Sequence, residues 1–283
     1  MKTRLITSAV GIVICLALLA VGFYYPLPIK IAISIVSGIL CYEFISAKSL
    51  FKKYSISVPC LAFSVLMPFL CNTAAEYFPL YLFTISFFVL LVIFHNAIKV
   101  EDALFAYGGT ILITLSMTAF AAVSFGEFGQ TPFWVVLTLA VPWLADSGAY
   151  FTGVFLGKHK LCPTVSPKKT VEGAIGGLVC GALGAVLVGY IFSLIYATDL
   201  SVGGGSVTAE VEYLPLIIIG LINPIVSIFG DLTFSLIKRS CGIKDFGSIM
   251  PGHGGLLDRF DSVLFCAPLV FIVREFTEII YIV

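Results

Sequence analysis

Between Asp231 and Asp261 the chain collects residue types that can do chemistry. The stretch reads D-L-T-F-S-L-I-K-R-S-C-G-I-K-D-F-G-S-I-M-P-G-H-G-G-L-L-D-R-F-D and holds four of the sixteen carboxylates and four of the sixteen Lys and Arg residues. Asp258 and Asp261 are spaced i, i+3, which puts both on one face at the start of a helix. With Asp231 they offer hard oxygen ligands without a Cys or His cluster, a donor set that suits Mg²⁺ and not Zn²⁺. Mg²⁺ in such sites usually bridges substrate phosphates. The alternative for the pair at 258 and 261 is stabilisation of a helix N-terminus; for Asp231 it is a buried hydrogen bond. Ser235 lies one turn beyond Asp231, on the same face. Arg239 and Arg259, beside acids in a glycine-rich loop, fit phosphate. Lys238 and Lys244 fit phosphate or an interfacial anchor equally well. His253, bracketed by glycines, is placed to meet a phosphate or a leaving group.

A second group precedes this stretch. In S-P-K-K-T-V-E-G, Ser166 followed by Pro167 reads as a helix N-cap with Pro at the first helical position. Lys168 and Lys169 then occupy the first turn, where free N–H groups and two cations make an anion site. Asp146, with Ser147 and Tyr150 close behind, lies in an apolar run, where an ionisable residue needs a partner or a function. These three could read a base or sugar, or support a metal; a structural hydrogen bond is the plainer alternative. His159 is assigned no role. Glu43, Arg274 and Glu278 are further ionisable residues in or near apolar runs, the last two at pairing distance along a helix.

The elements that must position these groups are membrane helices. Of 283 residues, 59% are hydrophobic and 11% charged, against roughly a quarter charged in soluble domains. Nine stretches approach the length a spanning helix needs: 5–24, 29–46, 57–72, 78–97, 107–125, 132–156, 172–197, 213–237 and 261–282. This predicts an all-α polytopic membrane protein with about nine transmembrane helices. Fourteen of the sixteen basic residues fall at alternate connections. By the positive-inside rule those connections, and the N-terminus, are cytoplasmic, and the C-terminus is outside. Residues 1–130 read as a transmembrane scaffold. Residues 131–283 read as the catalytic transmembrane region, with cytoplasmic loops at 157–171 and 238–260. The connection at 198–212 reads as a flexible linker. Gly173, Gly177, Gly181, Ala185 and Gly189 form a small-residue stripe suited to close helix packing, within the chain or between subunits.

The formal charge of zero excludes a bulk field for nucleic acid. The eight cysteines lack C-x-x-C spacing, and most fall in apolar runs, where they act as small packing residues. The N-terminal apolar run is long for a signal peptide and reads as a retained first span.

Ser235 to Asp261 resembles the signature of the phosphatidate cytidylyltransferase (CDP-diacylglycerol synthase) family. D-S-G-A-Y at Asp146–Tyr150 and S-P-K-K-T-V-E-G at Ser166–Gly173 are similar to further blocks of that family. Met250 departs from its usual Ile, Leu or Phe but stays apolar. The resemblance implies an integral membrane enzyme that makes CDP-diacylglycerol and pyrophosphate from CTP and phosphatidate. It also implies Mg²⁺ with K⁺ beside it, a homodimer of nine-span subunits, and a polar funnel open to the cytoplasm from the plasma membrane. Carried onto this chain, it gives catalytic roles to Asp231, Asp258, Asp261, Lys168 and Arg259, with the three aspartates as metal ligands. Ser166, Lys169, Ser235, Lys238, Arg239, Lys244, His253, Asp146 and Tyr150 then join Lys168 and Arg259 in binding substrate. The nearest alternative is a CTP-dependent polyprenol or phytol kinase, which would transfer the γ-phosphate. A secondary transporter is disfavoured because inverted repeats are missing and charge clusters on one side.

Overall fold

The computed structural model describes residues 2–124, 130–197, 209–250, 254–277 and 279–282. Nine α-helices occur among them: α1 (Lys2–Tyr24), α2 (Leu27–Ser46), α3 (Tyr54–Leu70), α4 (Phe78–Ile93), α5 (Val100–Ser124), α6 (Thr131–Leu156), α7 (Val171–Ala197), α8 (Tyr213–Ser240) and α9 (Leu257–Phe276). Each overlaps one of the nine apolar stretches, although the stretch expected to run 261–282 leaves its helix at Phe276 and ends in a strand. Five of them, α2, α5, α6, α7 and α8, are long and apolar enough to cross a membrane. At 17 and 16 residues, α3 and α4 reach only about 24 to 26 Å, short of a hydrocarbon core of about 30 Å. In α9 the opening turn is charged.

The chain is all-α in its main elements, as expected. Two small antiparallel strand pairs accompany the helices: the hairpin of β1 (Lys160–Cys162) with β2 (Ser166–Thr170), and the long-range pair of β3 (Ala209–Val211) with β4 (Ile280–Ile282). The second ties the approach to α8 to the chain's C-terminal end. Most of the 198–212 connection, residues 198–208, lies outside the described residues.

The helices that carry the charged groups pack through glycine. A Cβ on Gly177 would lie 3.1 Å from the Ala145 carbonyl oxygen of α6. On the α8 side, a Cβ on Gly220 would lie 2.6 Å from the Ala182 Cα of α7. The small-residue stripe on α7 is thus used inside the chain, towards α6 at Gly173 and Gly177 and towards α8 at Gly181 and Gly189. Buried phenylalanines join the N-terminal half to the rest: Phe44 of α2 stacks on Phe105 of α5 at 4.6 Å and faces Phe246, beyond α8, at 6.1 Å. At the other end Arg274 donates to the carbonyls of Ala122 and Val123 at 2.8 and 3.1 Å, satisfying the C-terminus of α5.

Candidate active site

The site begins where α6, the β1–β2 hairpin, α7 and α8 enclose a cavity of about 510 Å³. Asp146 and Tyr150 reach it from α6, Lys168 and Lys169 from β2, and Asp231 from α8. Lys169 Nζ pairs with Asp231 Oδ2 at 2.6 Å, and the Ser235 hydroxyl donates to Asp231 Oδ1 at 3.4 Å. Lys168 and Tyr150 are exposed. Val154, Leu161 and Ile228 add an apolar wall. The cavity therefore offers cations, two carboxylates and hydrocarbon together.

A hydrogen-bonded chain runs from this cavity into the helix core. Asp146 accepts from the Ser227 hydroxyl of α8 at 3.1 Å and from the Ser262 hydroxyl of α9 at 3.0 Å. The Ser262 N–H in turn donates to Asp261 Oδ1 at 2.8 Å. Close approach of α8 to α9 depends on Gly230, where a Cβ would lie 2.7 Å from the Asp261 carbonyl oxygen. Asp261 is only 7% exposed.

Asp258 faces elsewhere. Its Oδ1 accepts from Lys238 Nζ at 2.8 Å, and its Oδ2 accepts from the N–H groups of Phe246 and Gly255 at 2.9 and 3.1 Å. It folds the loop between α8 and α9. Among the described residues no three His, Cys, Asp or Glu side chains are gathered closely enough to hold a metal by themselves.

That loop starts from an orderly helix end. Gly242 has φ +69°; its N–H bonds the Arg239 carbonyl, and the Ile243 N–H bonds the Lys238 carbonyl at 3.0 Å. This is a Schellman closure, which needs a left-handed residue after the helix. Lys238 and Arg239 occupy the last turn, favourable for cations at a helix C-terminus. Arg239, Lys244 and Arg259 are exposed.

The helix start expected at Ser166 is not formed. Ser166 opposes Cys162 in the hairpin, so Lys168 and Lys169 lie on a strand and not in the first turn of α7. The side chain that caps α7 is Thr170, whose Oγ1 accepts from the Gly173 N–H at 3.1 Å. Ser-Pro at a helix start and Ser-Pro in a short strand share the same local preference, because Pro is tolerated in both. Glu172 then holds the hairpin's entry: it accepts from the Lys158 N–H at 3.0 Å and meets His159 Nδ1 at 2.6 Å. This accounts for His159. The expected site residue His253 and the pairing partner Glu278 lie outside the described residues.

Sequence reasoning missed Lys160, which lines the cavity, and the two serines on Asp146. It also set Glu43 aside, although Glu43 is 1% exposed and contacts the loop. A buried carboxylate in an apolar run was the available signal.

The fold and the cavity define a helical membrane protein with a charged site built among its later helices. The profile of the cytidylyltransferase family matches residues 2–277, and the chain belongs to that family. It is similar to the phosphatidate cytidylyltransferase of Bacillus subtilis (strain 168), 32% identical over 96% of both chains. That of Staphylococcus haemolyticus is 31% identical over 95% of this chain and 97% of the relative. That of Staphylococcus aureus (strain COL) is 32% identical over the same shares.

Proposed function

We propose that this chain transfers the cytidylyl group of CTP to phosphatidate, giving CDP-diacylglycerol and pyrophosphate. The observation that carries the reading is the Lys169–Asp231 pair in a cavity with an apolar wall. Such a cavity accepts an anionic group that is attached to a lipid.

An oxygen of the lipid phosphate forms a bond to the α-phosphorus of CTP while the bond to the β-phosphate breaks, and the electron pair leaves with pyrophosphate. Phosphatidate is already largely ionised near neutral pH, so no general base is required. The protein's work is positioning and charge neutralisation. Lys168 and Lys169 hold phosphate in the cavity, and Arg239 and Arg259 hold phosphate from the loop side. Phosphate binding to Lys169 releases Asp231 from its ion pair.

The acids suit a divalent cation. Asp261 is buried yet receives one hydrogen bond among the described residues, and a buried carboxylate so poorly supplied calls for a positive partner. Asp231 and Asp261 would supply carboxylate oxygens to Mg²⁺, and substrate phosphates would complete the shell. The ion would neutralise the triphosphate and the departing pyrophosphate. Asp258 supports the loop in this reading. K⁺ rests on the family resemblance.

The enzyme lies in the plasma membrane as nine spans with the N-terminus and the active site on the cytoplasmic side, as a homodimer. The basic connections support the orientation. Residues 1–130 scaffold the catalytic region. CTP labelled at the γ-position tests the reaction: the label is expected in released pyrophosphate. Label in a phosphorylated lipid alcohol would instead establish a kinase.

A further inference from the structure

Glu43 belongs to α2, in the N-terminal half, yet its carboxylate is buried at the entrance of α9. Its Oε1 accepts from the Leu256 N–H at 3.0 Å, and its Oε2 accepts from the Leu257 N–H at 2.7 Å. Leu256 is the N-cap of α9 and has no side chain that can satisfy these donors. The positive end of the α9 dipole therefore meets a negative charge from another helix.

The loop has been shaped around that carboxylate. A Cβ on Gly247 would run into Glu43 Oε1, and one on Gly255 would lie 2.7 Å from Oε2. Next to Glu43, Phe44 packs against Phe246 of the same loop. Phe246 and Gly255 give their own N–H groups to Asp258. Two carboxylates thus divide four N–H donors of the loop and the start of α9: Asp258 takes Phe246 and Gly255, and Glu43 takes Leu256 and Leu257. Asp258 fixes the loop to its own helix, whereas Glu43 fixes that helix to α2.

We infer that Glu43 is a positioning residue for the transfer reaction: it sets the start of α9, and through it the placement of Arg259 and Asp261. This rests on the cytidylyl transfer proposed above. The Leu256 and Leu257 N–H groups at the start of α9 are thus taken by Glu43 and are not available to a phosphate.

Glu43→Gln tests this. Glutamine keeps the size but leaves one acceptor oxygen and turns an NH₂ towards an N–H. The expected result is a rise of about tenfold in KM for CTP. Amide hydrogen exchange at Leu256 and Leu257 should speed up, while α5 and α6 exchange as before. A purely structural role would lower the active fraction and kcat and leave KM unchanged, and that result would overturn the inference. Gly247→Ala covers the case in which Glu43→Gln does not fold. It leaves the carboxylate in place and forces the loop away from it, so the same rise in KM is expected, and an unchanged KM overturns the inference. The unaltered protein run in parallel separates the two readings. If it makes no CDP-lipid, the reaction is wrong. If it does and the variants match it in KM and exchange, the role of Glu43 is wrong.

Discussion

At the scale of single residues, Asp231, Asp146 and Asp258 do different work because their donors differ. Asp231 faces one lysine and a weak hydroxyl contact and can exchange partners. Asp146 is held by two serines. Asp258 is saturated by two N–H groups and Lys238, in a pair with side chains only 7% and 13% exposed. Removing one charge from a buried pair strands the other, at a cost of about 3 kcal/mol. Asp258→Asn is therefore expected to lower the unfolding temperature in detergent as well as to abolish turnover. Loss of turnover with unchanged unfolding would return Asp258 to a purely chemical role. The sequence singles these residues out, since charge is rare in apolar runs. It could not show which carboxylate is spent on the loop, because Asp258 and Asp261 share a helix face and are separated only by what the loop folds back onto.

At the scale of elements, helices were legible from apolar length, and the S-P-K-K-T segment was not. Ser166 carries the signal of an N-cap, but the helix starts five residues later at Val171, with Thr170 as the cap. The competing outcome was decided by pairing with Lys160–Cys162, a contact that no local pattern announces. The consequence is functional, because the strand places Lys169 against Asp231. Packing of α7 on α8 was half legible: the small-residue stripe was visible, but its partners were not. Gly220→Ala puts a methyl group against the α7 backbone at Ala182 and Gly181, and backbone cannot swing aside. Overpacking of this kind costs about 1–3 kcal/mol. The measurement is thermal unfolding in detergent, where a decrease is expected; an unchanged midpoint would mean that α7 and α8 can separate freely.

At the scale of the whole molecule, the N-terminal half does more than fill the membrane. Phe44 and Glu43 reach the signature loop across the chain, a link between residues more than 200 positions apart that composition gives no means of seeing. The proposed orientation, by contrast, rests on the basic residues alone. Single cysteines at Lys244 and Tyr77, in a background without Cys162 and Cys241, should react with an impermeant reagent from opposite faces: Lys244→Cys in inverted vesicles and Tyr77→Cys in intact cells. Labelling of both from one face would break the alternation. Cytidylyl transfer in this cavity can be followed with a single assay. Purified protein is given CTP labelled at the α-phosphate, phosphatidate and Mg²⁺, and label in the lipid phase is followed beside pyrophosphate release for the unaltered chain and for Lys169→Met. Labelled lipid with equimolar pyrophosphate is expected from the unaltered chain, and kcat/KM lower by about 10- to 100-fold in the variant, the worth of a charged hydrogen bond. Labelled lipid formed equally well by folded Lys169→Met would place the chemistry outside this cavity, and no labelled lipid from either would contradict the reaction itself.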